Sequence, residues 1–529
     1  MMNRDEALRR ATENGEEFDL VIIGGGATGV GIALDASVRG LSTLLLEQCD
    51  FGKGTSSRST KLIHGGVRYL QQGDVAMVRD SLRERARLQA NAPHLVRPLS
   101  FIVPCQSLWQ RCLTRVGFWV YDLLAGRSQF ARAFGTSSAA AQQKVPTLQP
   151  NRLRWGGIVY QDGQFDDTRL LIHMAMTAAE HEACLLNYCQ VTGLRTDRSA
   201  AHIDGVNFID QETGQSHRVS AKCVINATGP FCDAIRQMDE ASAMPIIAPS
   251  QGVHLVLPRT FLPGDTAVIV PKTSDGRVLF LIPWHGHVLV GTTDTPIPSA
   301  TLEPLAQNEE IEFLLATAAD YLTQAPTRED CLSVFIGIRP LVRPPASDDG
   351  GETKSLSRDH TILVSKQGLI TITGGKWTTV RKMAEDCVNQ AMDLADLPTN
   401  GKSTVNRKIH GATDSPDATV YGTDSRLIND LIADTPELGK PLHADLPIRA
   451  AEVIWAVRHE MARTVDDVLA RRTRALFLNR RAAEEMGPEV ARLMAGELKQ
   501  DAEWQQQQVT DFLAIARHFE MPDLGIATK

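Results

Sequence analysis

Apolar and polar positions along this chain of 529 residues follow two periods that succeed one another. FDLVIIG, from Phe18, is a short apolar run that reads as a strand and passes directly into the glycine-rich GGGATG. Helical spacing follows from Ala27 to Arg39, then a second apolar run from Thr43 to Leu46 ends on Glu47. The spacing predicts helices over Asp74–Pro93, over DDTRLLIHMAMTAAEHEA from Asp166, and over Glu309–Tyr321. A strand around Cys189–Leu194 and hairpin-like strands at VNFID and HRVSAKCVINATG lie between them. Pro245–Thr295 alternates apolar and polar residues between turn signals, the pattern of an antiparallel sheet. After GIRPLVRPP come two strands, a Gly-Gly turn and a helix beginning near Trp377. Residues 399–440, rich in Pro, Thr, Asp and Gly, read as a linker to a mostly helical remainder. There Thr464 caps a helix, with Asp467 completing a capping box.

One helical segment fits less easily. In Phe101–Gly126, residues Trp109, Cys112, Leu113, Val116, Val120 and Leu123 recur at helical spacing, with Arg111, Thr114 and Arg115 elsewhere around the helix. Phe118, Trp119 and Tyr121 widen the apolar surface beyond what one core face needs. Two readings stand: a buried helix, or an interfacial helix resting on a bilayer with its arginines at the headgroups.

Composition narrows the class. A net charge of −8 with mixed signs excludes the basic face expected of a nucleic-acid binder. Nine cysteines without a CxxC pair read as reduced thiols of a cytosolic protein. The first twenty residues are charged and lack the apolar core of a signal peptide, and no run of 18 apolar residues occurs. The chain is expected not to span a membrane, though it could lie on one.

The strand, turn, helix, strand and acid at Phe18–Glu47 are the fingerprint of a dinucleotide on a βαβ unit. Gly24 permits the tight turn, Gly26 lets the backbone approach a pyrophosphate, and Gly29 lets helix and strand pack closely. The helix N-terminus offers N–H groups to phosphate, and Glu47 is placed for an adenosine ribose. GKGTSSRSTK follows, a hydroxyl-rich wall beside that site. His285 and His287 are explained by a hairpin turn, so no metal is expected.

Read together, GGGATGVG, STKLIHGGVRYL, NATGPFCD, GTTDT, GIRPL, SRDH and GGKWTT resemble the FAD-dependent glycerol-3-phosphate dehydrogenases of the aerobic, quinone-linked type. AVRHEMARTVDDVLARRTR resembles the helical C-terminal domain of that family. The resemblance implies an α/β fold with a Rossmann-like FAD domain of the D-amino-acid-oxidase type, made from residues 18–100, 165–240 and 335–398. It further implies an antiparallel-sheet substrate domain, 101–164 and 241–334, and a helical domain, 399–529. The implied cofactor contacts are Gly24, Gly26, Gly29, Glu47, Thr55, Ser56, Ser59, Thr60, Lys61, Leu62, His64, Val191, Gly229, Gly375, Lys376, Trp377 and Thr378. By resemblance Arg68 with Tyr69, Arg339, Arg358 and Lys376 line the pocket for the substrate, sn-glycerol 3-phosphate.

The residues themselves favour flavin over a diffusible nicotinamide, because several separated turns grip one cofactor. A helix N-terminus near Trp377 suits the negative charge that a reduced flavin gathers. Arginine's planar fork matches phosphate oxygens in pairs. A base must take the carbon-2 hydroxyl proton, and His254 and His64 are the candidates. The expected reaction is oxidation to dihydroxyacetone phosphate, with electrons passed to membrane quinone by a cytoplasmic protein peripherally bound to the inner face of the membrane. The resemblance leaves room for a homodimer. Alternatives are a glycerophosphate oxidase using oxygen, another flavin oxidase acting on amines or amino acids, and a flavin-binding module without turnover.

Overall fold

A computed structural model describes residues 2–13, 15, 17–66, 74–197, 202–271, 273, 276–343, 360–415 and 418–522. Among them, the strands form two large sheets. The first runs His360–Val364, Ile370–Gly374, Ser216–Asn226, Phe18–Ile23, Thr43–Leu46, Cys184–Leu186. The middle of this sheet is parallel, with Ile23 in register with both Asn226 and Leu46. All of Leu20–Ile23 and Thr43–Leu46 is buried, which explains their unbroken apolar runs. The helices Ala27–Val38, Asp167–Glu180 and Val380–Ala395 pack together against this sheet, sharing one apolar core with it.

The second sheet is mainly antiparallel and is centred on the long Ile247–Pro258 strand. Ser333–Val342 pairs along ten positions of that strand, from Ile247↔Val342 to Val256↔Ser333. The division expected at 334/335 therefore falls inside a strand that belongs wholly to the second sheet. Val96–Pro104 likewise joins this sheet through Gly157–Phe165, across the division expected at 100/101. Alternation along a strand says which side chains share a face, not which sheet the strand joins.

Residues 399–440 do not behave as a linker. Thr404 Oγ1 donates to Asp35 at 2.6 Å, Ile409 N–H to Asn91 O at 2.9 Å, and His410 N–H to Thr177 Oγ1 at 2.8 Å. The segment also contains the helix Ser425–Asp434, whose apolar side carries buried Ile428. Polar composition here reflects hydrogen bonding to the nucleotide domain. The helices beyond it share one apolar core with the second sheet. Thr464 and Asp467 do form a capping box: Asp467 Oδ2 accepts from Thr464 N–H, and Asp467 N–H reaches Thr464 Oγ1.

The ambiguous segment is a helix, Leu108–Ala125, capped by Ser107. Its two apolar sides have opposite fates. Phe118 and Tyr121 are buried, Phe118 against Tyr160 and Tyr121 with its hydroxyl donating to Asp162 at 3.0 Å. Trp109, Leu113, Val116, Trp119 and Leu123 are exposed, Trp109 by 76% and Trp119 by 66%. Of the three aromatics that widen the apolar surface, Phe118 and Tyr121 thus belong to the core and only Trp119 faces outward. Among the described residues no helix is long and apolar enough to cross a membrane.

Candidate FAD and substrate site

A cavity of about 510 Å³ opens where the carboxyl ends of the parallel strands meet one face of the second sheet. Ile23, Gly24, Leu46, Glu47, Ala227 and Thr228 bound it on the first side, and Gly252, His254, Phe280, Gly337 and Arg339 on the second. Ligands of open α/β sheets bind outside the strands' carboxyl ends.

At the nucleotide end the turn is tight for stated reasons. Gly24 has φ 108°, and a Cβ on Gly29 would meet Gly24 O at 1.9 Å, so Gly29 works inside the turn and does not line the cavity. Gly26 caps the Ala27–Val38 helix without a side-chain bond, leaving the helix N-terminus directed at the cavity. Ser56 Oγ accepts from Ala27 N–H at 2.8 Å, and a Cβ on Gly26 would lie 3.1 Å from that oxygen. Glu47 accepts from Gly25 N–H at 2.6 Å and from Cys49 N–H at 2.8 Å while lining the cavity.

The hydroxyl-rich segment forms a wall. Thr55, Ser56, Ser59, Thr60, Leu62 and His64 line the cavity, together with Val191 and Gly229. Lys61 does not. It adopts φ 63°, which turns its side chain behind the wall, fully buried, onto Asp167 Oδ2 at 2.6 Å and Ser57 O at 2.7 Å. Lys61, expected among the cofactor contacts, is therefore absent from the cavity lining: a backbone reversal hidden from composition sends its side chain the other way. Arg58, not singled out by sequence, reaches the cavity edge, but its guanidinium serves Glu303 at 2.6 Å.

The second glycine turn has two consecutive left-handed residues, Gly374 at φ 80° and Gly375 at φ 74°. A Cβ on Gly375 would meet Met383 Sδ at 2.4 Å. Lys376 then precedes a helical turn, Trp377–Thr379, that continues into Val380–Ala395. Gly375, Lys376, Trp377 and Thr378 all line the cavity. Trp377 Nε1–H donates to Ser56 O at 3.0 Å, and Thr378 Oγ1 donates to His64 O and accepts from His64 N–H, tying this turn to the wall.

On the facing sheet the register sets the chemistry. Ser250 pairs with Arg339, Gly252 with Gly337, and His254 with both Phe335 and Gly291, so these side chains share one face. Two glycines make room. A Cβ on Gly252 would meet the Arg339 guanidinium at 2.5 Å, and one on Gly291 would meet the His254 ring at 2.3 Å. Sequence gave no weight to Gly252; its alternation within GVHLVL was the available signal. Arg339 is held by Asp294 Oδ1 at 3.2 Å and by the carbonyls of Gln251 and Thr293 at 3.3 and 3.0 Å. His254 is buried, stacked 4.6 Å from Phe335, with Nε2 2.9 Å from Thr60 Oγ1. Burial first, then the charges of Lys61 and Arg339, hold its pKa well below that of an ordinary histidine. Arg68, Tyr69 and Arg358 lie outside the described residues.

Residues 19–381 match the family model described as FAD dependent oxidoreductase. The human mitochondrial glycerol-3-phosphate dehydrogenase is 41% identical over 569 aligned positions, which take in all of this chain and 77% of that protein. The chain belongs to the FAD-dependent glycerol-3-phosphate dehydrogenase family. A Caenorhabditis elegans protein described as a probable mitochondrial member is 42% identical, over 97% of this chain and 75% of its own. Residues 370–508 match the C-terminal domain of alpha-glycerophosphate oxidase. Among solved structures, the Bacillus halodurans glycerol-3-phosphate dehydrogenase complexed with FAD superposes with a TM-score of 0.77. That pair is 28% identical and covers 99% of this chain and 98% of the other. The residues here fit the dehydrogenase family's cofactor: the glycine cradle at Gly24 and Gly26 and two helical N-termini without side-chain caps face one cavity that runs on to Arg339.

Proposed function

We propose that this chain oxidises sn-glycerol 3-phosphate to dihydroxyacetone phosphate and delivers the electrons to a membrane quinone. The observation that carries this reading is the convergence of Arg339 and His254 on the cavity whose other wall holds the nucleotide turn. FAD, when bound, supplies the hydride acceptor. Arg339, already oriented by Asp294, binds the substrate phosphate, and Lys376 adds a second positive charge at the cavity wall. Arg68, Tyr69 and Arg358 join them on the strength of the family motif. The neutral His254 ring takes the proton of the carbon-2 hydroxyl at Nε2. The proton passes through Thr60 Oγ1, 2.9 Å from Nε2: this hydroxyl gives its own proton to Nε2 as it takes that of the substrate, so Thr60 ends the step as it began. The low pKa keeps the base unprotonated before substrate arrives. The phosphate dianion then offsets the field of Arg339 and raises the basicity of the ring when it is needed. His64, bonded through its backbone to Thr378, shapes the cofactor wall.

Anaerobic addition of glycerol 3-phosphate to the purified flavoprotein is expected to bleach the flavin absorption, while glycerol and amino acids leave it unchanged. Persistence of the oxidised spectrum with glycerol 3-phosphate would remove the assignment. A second reading, favoured by the C-terminal match, is an oxidase that passes electrons to oxygen. Peroxide formation matching the rate of substrate oxidation would select it; quinone reduction without peroxide selects the dehydrogenase.

The exposed side of Leu108–Ala125 is assigned to peripheral contact with a lipid bilayer. Two tryptophans and four aliphatic side chains, Leu108, Leu113, Val116 and Leu123, are exposed there. Together, Trp109→Asp and Trp119→Asp are expected to weaken binding to anionic vesicles about a hundredfold. Turnover with a soluble dye acceptor should be retained. Undiminished vesicle binding would assign this side to another partner.

A further inference from the structure

Behind the wall of the cavity lies a buried cation that the reaction above does not use. The Lys61 side chain has no solvent exposure, and its ammonium sits 5.0–5.3 Å from the ring centres of Trp284, Phe335 and Phe477. Of these, Phe335 stacks on His254 with only 7° between the ring planes. Thr60, the residue before Lys61, holds His254 Nε2. One dipeptide therefore reaches the histidine twice, by a hydroxyl on the cavity side and by a charge across a shared aromatic ring.

We propose that Lys61 is a positioning residue for His254, fixing the ring's place through Thr60 and its protonation state through a charge held behind Phe335. This rests on the reading of His254 as the base for its catalytic meaning, but not for the coupling itself. Stability alone does not account for the lysine. Asp167 already has Arg474 at 3.2 Å, the Ser59 hydroxyl at 2.7 Å and Thr168 N–H at 2.9 Å, so it does not need a second cation. An apolar residue among three aromatic rings would avoid the desolvation of the ammonium. Burial in turn lowers the pKa of Lys61 to about 7, against the pull of Asp167. Below neutrality the lysine is thus charged, over the same range in which a histidine would take up a proton. The other charges facing His254 are Arg339, from the neighbouring strand, with Asp294 paired to it. Around Lys61 stand Arg474 and Asp166, the latter bonded to His285 at 2.9 Å.

The test is a titration of the FAD-loaded protein carrying isotope-labelled histidine, followed by NMR, with the His254 signal identified by its loss in His254→Gln. Lys61→Gln keeps a donor for Ser57 O and removes the charge; Lys61→Met removes both; Lys61→Arg keeps the charge. In the two neutral variants the His254 midpoint is expected to rise by about one pH unit, and in Lys61→Arg to stay near that of the native protein. A midpoint unmoved in both neutral variants, even with a lowered melting temperature, would overturn the proposal and leave Lys61 a structural residue. The acid limb of kcat/KM reports separately on the base. If the NMR midpoint moves and that limb does not, the coupling stands and the assignment of His254 as base fails.

Discussion

Arg339→Ala is expected to lower kcat/KM for glycerol 3-phosphate by two to three orders of magnitude, with FAD still bound. Among the described residues, Arg339 lines the cavity with Asp294 Oδ1 beside it at 3.2 Å, whereas Arg58, the other arginine there, is bound to Glu303 at 2.6 Å. Truncating one member of a desolvated charged contact costs about 2–5 kcal/mol, and each 1.4 kcal/mol is about tenfold. KM should rise most strongly, since the phosphate is held in both ground and transition states, and kcat should fall as the hydroxyl loses its place beside His254. FAD is expected to remain because, among the described residues, Arg339 bonds to Gln251, Thr292, Thr293 and Asp294 and not to the nucleotide turn. Arg339→Lys, which keeps a point charge but loses the fork, should recover only part of the loss. Steady-state kinetics beside a flavin spectrum decide it: native kinetics would place the phosphate elsewhere.

The second large effect is on stability. Asp50, completely buried three residues after Glu47, accepts from Arg471 Nε at 2.5 Å and from both terminal nitrogens of Arg472 at 2.7 and 2.9 Å. Arg472 also donates to Glu460 O. The helical C-terminal region thereby grips the loop that follows Glu47 along the cavity. Arg472→Met leaves a buried carboxylate with one arginine fewer and should cost about 3–5 kcal/mol, read as a lower urea midpoint. FAD should be released earlier in the same transition, because the Glu47–Lys53 loop loosens first. The pH dependence has a definite sign. Despite burial, Arg472 and Arg471 hold the Asp50 carboxyl below the usual aspartate range. Its stabilisation is therefore complete above the unfolded value near 3.9 and fades as pH falls through the lower folded value. Without Arg472 the folded pKa rises, so acid unfolding should begin at higher pH. A native urea midpoint with an unshifted acid transition would show that the grip contributes nothing.

These arginines show where sequence reading stops. ARRTR marked the family's helical domain, but nothing local says that Arg472 and Asp50, 422 positions apart, meet out of water. Long-range ion pairs have no periodicity to betray them. The same holds for Lys61, whose left-handed backbone sends it away from a wall its neighbours line, and for Ser333–Val342, whose alternation suits either sheet. The Leu108–Ala125 helix was legible as a helix with two apolar sides. Only the presence of Tyr160 and Asp162 beneath it decided that Phe118 and Tyr121 turn inward and Trp109 and Trp119 outward.

By itself the sequence determined the βαβ turn at Phe18–Glu47, the second turn at Gly374–Gly375 and the family, because tight turns and helix starts are written in adjacent residues. It also carried Arg339 and His254 as candidates, through the motifs that surround them. Tertiary structure decided that these two share a face, since that depends on Ser250–Arg339 and His254–Phe335 being partners across strands about 80 to 90 residues apart. It likewise decided that the C-terminal helices secure the cofactor loop, because a buried charge is settled by its partners and not by its neighbours in the chain.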